Sequence, residues 1–161
     1  MAPVLTDFDD LVAAWPAPVR LTHLEGDLFV TLSLHADYIE AKWAGHITAD
    51  DVITAAQVFL LLLQKTAVPK LLNNKTDASG DWSEANDWLE FEWLPKALEA
   101  GFHRLAHVYS NNMFSRLSAR DLYLRLGPRI SMRTFSDREA AEAWLLSAPT
   151  AQDAQEPVAD Q

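Results

Sequence analysis

The residues best placed to do chemistry lie in one stretch, Asp77-Ala78-Ser79-Gly80-Asp81-Trp82-Ser83. Ser79 offers a hydroxyl just before the expected start of a helix at Ser83. A phosphate there would meet free backbone N–H groups and the positive end of the helix dipole. Ser79, Gly80 and Ser83 are therefore the candidate phospho-acceptor or anion site. Asp77, Asp81, Glu84 and Asp87 would repel an added dianion, and an ordinary Ser-Gly turn is the simpler reading. The same acids do not make a calcium loop. Counted from Asp77, the sixth position is Trp82 and the twelfth Trp88, where such a loop requires glycine and glutamate.

Other chemistries lack their residues. His23, His35, His46, His103 and His107 show neither His-x-x-x-His nor His-x-His spacing, so no metal site is expected. There is no cysteine, which removes a thiol nucleophile, a thiolate metal site and a disulfide scaffold. No Gly-x-Ser-x-Gly elbow and no glycine-rich phosphate loop occurs. His107 shares a strand face with Leu105 and Tyr109, which suits a buried, hydrogen-bonded histidine better than a catalytic base. No catalytic residue and no cofactor is expected.

Two features point to partners instead. Arg104, Arg116, Arg120, Arg125, Arg129, Arg133 and Arg138 are seven of the 13 basic residues, in a stretch whose acids are Asp121 and Asp137 alone. Arginine's planar fork suits carboxylates and phosphates. This region is expected to meet an acidic partner, or the Asp77–Asp87 surface of a second copy. Scattered internal pairs are the alternative. Trp82, Trp88, Phe91, Trp93 and Phe102 crowd a second segment. At about 100° per residue they spread around a helix, so Trp88 and Trp93 cannot both face one sheet. Core packing is one reading and an exposed aromatic interface the other. The candidate partner interface is thus Arg116, Arg120, Arg125, Trp88 and Trp93.

Composition narrows the partners further. The chain has 161 residues and a net charge of −10, a size for one domain and a charge that disfavours nucleic acid. Its most apolar run, Val58 to Leu63, is far shorter than the roughly 20 residues that span a bilayer. No cationic, apolar leader opens the sequence, and the lack of cysteine fits a reducing cytoplasm.

These residues must be positioned by alternating elements. Thr6 is expected to cap a short helix bearing Phe8, Leu11, Val12 and Trp15, ended by Pro16 and Pro18. Period-two alternation predicts three strands: 19–24, one marked by Val30, Leu32 and Leu34, and one marked by Ile39, Ala41 and Trp43. Together they read as an antiparallel meander. Thr48 with Asp51 predicts a capping box for a helix to Thr66, followed by a strand Lys70–Asn74 and a polar loop over 76–82. A helix from an N-cap at Ser83 to Gly101 should kink or restart at Pro95. A strand over 104–109, a helix opened by Ser118 with Asp121, a strand over 130–135 and a helix capped by Ser136 with Glu139 complete the order. Such alternation requires parallel βαβ pairing in the second half. The expected fold is α/β, a mixed sheet covered by helices, with residues 1–18 as a helical extension, 19–146 as the domain and 147–161 as a disordered acidic tail.

The stretch Tyr38-Ile39-Glu40-Ala41-Lys42-Trp43-Ala44-Gly45-His46-Ile47-Thr48 resembles the STAS superfamily, in its SpoIIAA-like and SEC14-like group of small bacterial proteins. Trp88-Leu89, Trp93-Leu94-Pro95, Arg104–Val108, Phe135-Ser136-Asp137 and Ala140–Leu145 carry the resemblance on. It implies a non-enzymatic regulatory or protein-interaction module, and the arginine-rich stretch facing the acidic Asp77–Asp87 surface of a second copy makes a homodimer the expected partner arrangement. The alternative the resemblance permits is a binding protein for a small lipid-like or anionic ligand. Related antagonists carry an Asp-Ser-Ser-Gly phosphorylation motif. Here Ala78 replaces its first serine and Ser79 alone remains, so the phospho-switch motif is not intact.

Overall fold

A computed structural model of the protein describes residues 4–147. Six strands, β1 (Val19–Thr22), β2 (Leu28–Leu34), β3 (Ile39–His46), β4 (Lys70–Ser79), β5 (Arg104–Val108) and β6 (Ser131–Phe135), form one sheet in sequence order. β1, β2 and β3 pair antiparallel, while β3 through β6 pair parallel. The mixed sheet read from the alternation of elements is the sheet observed. Helix α1 (Val4–Leu11) precedes it. The parallel strands are linked by α2 (Ala49–Thr66), a composite helical segment over 83–99, and α5 (Met113–Leu126), and α6 (Arg138–Leu146) closes the fold. The tail expected beyond Ser147 lies outside the described residues.

Strand periodicity assigns the two faces. Ile39, Ala41 and Trp43, then Leu71 and Leu105, pack with α2, the 83–99 segment and α5 in the main core. From α2, Val52, Ala55, Val58, Phe59, Leu62 and Leu63 are buried. Each large apolar side chain so buried contributes roughly 1.5–3 kcal/mol. The residues between them along the strands, Tyr38, Leu72, Ala106 and Val108, form a smaller core with Ala141 and Leu145 of α6.

The capping box of α2 forms as read: the Thr48 side chain accepts from Asp51 N, and the Asp51 carboxylate accepts from Thr48 N. Other helix starts differ from expectation. α1 begins at Val4, so Thr6 lies inside it. α5 begins at Met113, capped by Asn112, whose Oδ1 accepts from Ser115 N. Ser118 is buried in mid-helix, and Asp121 is engaged by Arg125 and Asn86 rather than by a cap. α6 is capped by Asp137 through Ala140 N, not by Ser136. At α6 the adjacent Ser136 and Asp137 have similar capping strength, and the path of the chain chooses Asp137.

The 83–99 segment answers Pro95 in an unusual way. It runs from a 3₁₀ turn (Ser83–Ala85) through α3 (Asn86–Trp88) and a π-helical turn (Leu89–Trp93) into α4 (Leu94–Glu99). Proline cannot supply the N–H of a regular helix. The π turn absorbs the break by bonding Leu94 N to Leu89 O, and Pro95 sits in the first turn of α4, where no N–H is required.

Candidate functional site

The sequence places an anion site at Ser79, Gly80 and Ser83, but the structure builds that stretch differently. β4 continues through the expected loop to Ser79, because β3 extends to His46 and pairs with it from Ala44–Asp77 to His46–Ser79. Ser79 therefore ends a strand, with its carbonyl accepting from Ile47 N at 2.9 Å. Gly80 has φ +110°, and a Cβ added there would lie 2.4 Å from the Ile47 carbonyl oxygen, so only glycine fits. Ser83 is not the N-cap. It opens the 3₁₀ turn, and Asp81 Oδ1 accepts from its N–H at 3.0 Å and its hydroxyl at 2.7 Å. These bonds lower the pKa of Asp81. The Gly80 and Trp82 N–H groups are likewise taken, by Asn112 Oδ1 and Ser118 Oγ. A resident carboxylate and two neighbouring side chains hold the donors that an added phosphate would seek.

The cationic final third divides into two sets. Arg104 is buried and donates from Nη1 to the Trp144, Leu145 and Ser147 carbonyls at the carboxyl end of α6, where a cation suits the helix dipole. Arg125 binds Asp87, Glu90 and Asp121 within the chain. Arg138 binds Glu40 at 2.7 Å. By contrast Arg116, Arg120, Arg129 and Arg133 are exposed and pair with no carboxylate among the described residues. Arg116 and Arg120 share a helix face with Met113, Leu117 and Leu124, flanked by Phe114. These four apolar residues are 68%, 58%, 53% and 59% exposed, in the order named. That stripe is an unpartnered apolar face edged with arginine.

Of the aromatic pair, Trp93 is a core residue. It is 4% exposed, stacks edge-on with Phe102, and donates from Nε1 to the Ala56 carbonyl at 2.9 Å. This corrects its reading as interface. Trp88 is half-buried, and Phe91 is exposed.

The largest departure from expectation is Lys75. It continues the inward phase of Leu71 and Asn73 on β4 and is 1% exposed. Its Nζ lies 3.5 Å from the ring centre of Trp82 and 4.2 Å from that of Trp43. Around it both indoles are anchored, since Trp43 Nε1 donates to Asn73 Oδ1 at 2.6 Å and Trp82 Nε1 to Ser115 Oγ at 3.2 Å. Asn73 Nδ2 lies 3.3 Å from Nδ1 of buried His107. The register between β3 and β4 shifts just here, between the Lys42–Asn74 and Ala44–Asp77 pairs. Asn74 Oδ1 pins the irregularity by accepting from the Thr76 N–H and hydroxyl. Lys75, Asn73 and both tryptophans line a cavity of about 60 Å³, walled besides by apolar side chains from the sheet, α2, α5 and the 83–99 segment. Two indole faces return on the order of 2 kcal/mol each to a cation, less than the cost of burying an ammonium with no carboxylate beside it. Burial drives the Lys75 pKa well below that of an ordinary lysine. It also pulls His107 down to about 3, with Lys75 adding to the effect. The signal was present in the sequence, as Lys75 stands four residues after Leu71 in an alternating strand, but a lone lysine there reads as a strand end.

A separate polar cluster ties α6 to β3. Glu40 is 5% exposed and accepts from Arg138 and from Asn74 Nδ2. Burial alone would raise its pKa, and these bonds more than offset it, leaving the pKa lowered. Among the described residues no three side chains are grouped to hold a metal, and no helix is long and apolar enough to cross a membrane.

A solved structure of an uncharacterized DUF3478-family protein with a SpoIIAA-like fold from Shewanella loihica is similar at 19% identity and a TM-score of 0.40. The match covers 72% of this chain and 91% of that one. No curated protein matches. The family model described as SpoIIAA-like matches residues 38–146, which reach from the start of β3 to the end of α6, and the chain belongs to the SpoIIAA-like family.

Proposed function

We propose that this protein is a non-enzymatic, partner-binding module of the STAS type, and that its partner is a second copy of itself. Membership of the SpoIIAA-like family supports the general role. The observation that carries the specific reading is the exposed stripe of α5, where Met113, Leu117 and Leu124 lie beside Arg116 and Arg120. Exposed apolar residues gathered on one face mark interaction sites. The adjoining segment is acidic and faces solvent at Asp81, Glu84 and Glu92. Arginines and carboxylates thus lie on neighbouring elements of one molecule. A two-fold axis between them would place each set on its complement in the other copy, as an isologous contact requires.

Light scattering of the wild type against the Arg116→Glu, Arg120→Glu double variant tests this reading. The wild type should show the mass of a dimer, weakened by added salt, and the variant that of a monomer. A wild type that is monomeric at all accessible concentrations sinks the self-association.

A further inference from the structure

The feature that partner binding leaves unexplained is the buried amine. Every other polar group around it is engaged: the Trp43 N–H by Asn73, the Asn73 amide by Trp43 and His107, and the Trp82 N–H by Ser115. Lys75 Nζ makes no hydrogen bond to the protein among the described residues and borders the cavity. The cavity has no carboxylate in its lining and reaches, through Ala55, Ala56 and Phe59, to the inner face of α2. An anionic ligand would find a single donor there and no second one to share its charge. A neutral ligand with one carbonyl carbon would find an amine on one side and, apart from the Asn73 amide already engaged by Trp43 and His107, apolar walls on the others. A desolvated lysine in an apolar pocket is the usual form of an amine that adds to carbonyls.

We propose that Lys75 is a covalent binding site for a small apolar aldehyde or ketone, captured reversibly as an imine. The lone pair of Nζ attacks the carbonyl carbon to give a carbinolamine. The oxygen then departs as water, carrying both amine hydrogens, and a C=N bond remains. No oxidant or reductant takes part. An engineered cavity of about 150 Å³ takes benzene, so by the same ratio the 60 Å³ here takes roughly two or three non-hydrogen atoms, about the three carbons that propanal keeps once its oxygen has left as water. The bound carbon would lie against the Trp43 and Trp82 indoles, which gives the site its own fluorescence reporter. Through Trp82, whose N–H bonds Ser115 on α5, the occupied site adjoins the helix that carries the exposed stripe.

The test is incubation of the full chain with propanal at neutral pH, trapping with cyanoborohydride, and peptide mapping by mass spectrometry. Lys42, Lys65 and Lys96 are exposed and serve as internal comparison. At pH 7 an ordinary lysine is uncharged in only about one molecule in a thousand or fewer. Lys75 should therefore acquire one propyl group at least about tenfold faster than any of the three, with a change in tryptophan fluorescence. Lys75→Met should lose that adduct. Ala55→Leu, which fills the cavity and keeps the amine, should slow it at least about tenfold. Labelling of Lys75 no faster than the surface lysines overturns the proposal. So does unchanged labelling in Ala55→Leu, which would place the reaction outside the cavity.

Discussion

Lys75 Nζ lies 3.5 Å from the centre of the Trp82 indole, in a chain position that is 1% exposed. A flexible amine is held between two aromatic faces by a strand irregularity on one side and a 3₁₀ turn on the other. That relationship links the sheet to the helical layer, and several measurable consequences follow from the burial of polar groups near it.

Replacing the amine with an apolar group of similar shape should stabilise the fold. Lys75→Met is expected to raise the free energy of unfolding by about 1–3 kcal/mol at pH 7, since it removes a buried polar group that lacks a hydrogen bond. The folded pKa is depressed, so below the unfolded value near 10.4 the unfolded chain binds more protons and wild-type stability rises with pH. The advantage of the variant should shrink toward that pH. Urea titrations from pH 6 to 10 measure it, and an equal gain at all pH values would contradict a neutral amine.

His107 gives a second, acid-side signature. Its pKa is about 3 when folded, against roughly 6.5 when unfolded. The native state therefore stays neutral while the unfolded state takes up a proton. Stability attributable to this group is present above pH 6.5 and falls by roughly 4–5 kcal/mol as the pH drops to 3. His107→Gln retains an acceptor for Asn73 and should show a flatter acid limb in urea unfolding. Parallel limbs would mean the imidazole is not held neutral.

The Glu40–Arg138 pair should behave as a half-buried ion pair broken from one side. Arg138→Ala leaves Glu40, whose side chain is 7% exposed, with only Asn74 and His35 as partners among the described residues, at a cost of about 1–3 kcal/mol. Adding Glu40→Gln should recover part of the loss, since it removes the stranded charge. A double-mutant cycle by chemical denaturation reads the coupling, and additivity of the two changes would argue against the pair.

Gly80 is expected to tolerate no side chain. At φ +110° and with the Ile47 carbonyl 2.4 Å from a Cβ, Gly80→Ala should cost about 2 kcal/mol or more. Gly26 has φ +104° but nothing within 4 Å, so Gly26→Ala should cost less. Thermal unfolding of the two variants compares them, and equal losses would show that backbone conformation alone matters.

The amino-acid order by itself determined the class and order of the elements. Period-two runs at Val30–Leu34 and Ile39–Trp43, the i, i+3, i+4 stripe from Val52 to Leu63 and the capping box at Thr48 are local signals. They do not depend on where the rest of the chain lies. The six strands and their mixed sheet followed from them, while the family likeness rested on particular stretches such as Tyr38–Thr48 and Trp93-Leu94-Pro95. What only the tertiary structure decided were contacts between residues far apart. Whether Ser79 sits in a loop or a strand depends on His46, 33 positions earlier, offering a pairing partner. Which of seven arginines find a carboxylate or a carbonyl depends on where Asp87, Glu40 and the end of α6 come to rest. Lys75 carries both lessons. Its inward phase was written in the strand, but its lowered pKa required Trp43, Trp82 and the helical layer to close over it and exclude water, because a charge is disfavoured by surroundings that no local sequence specifies.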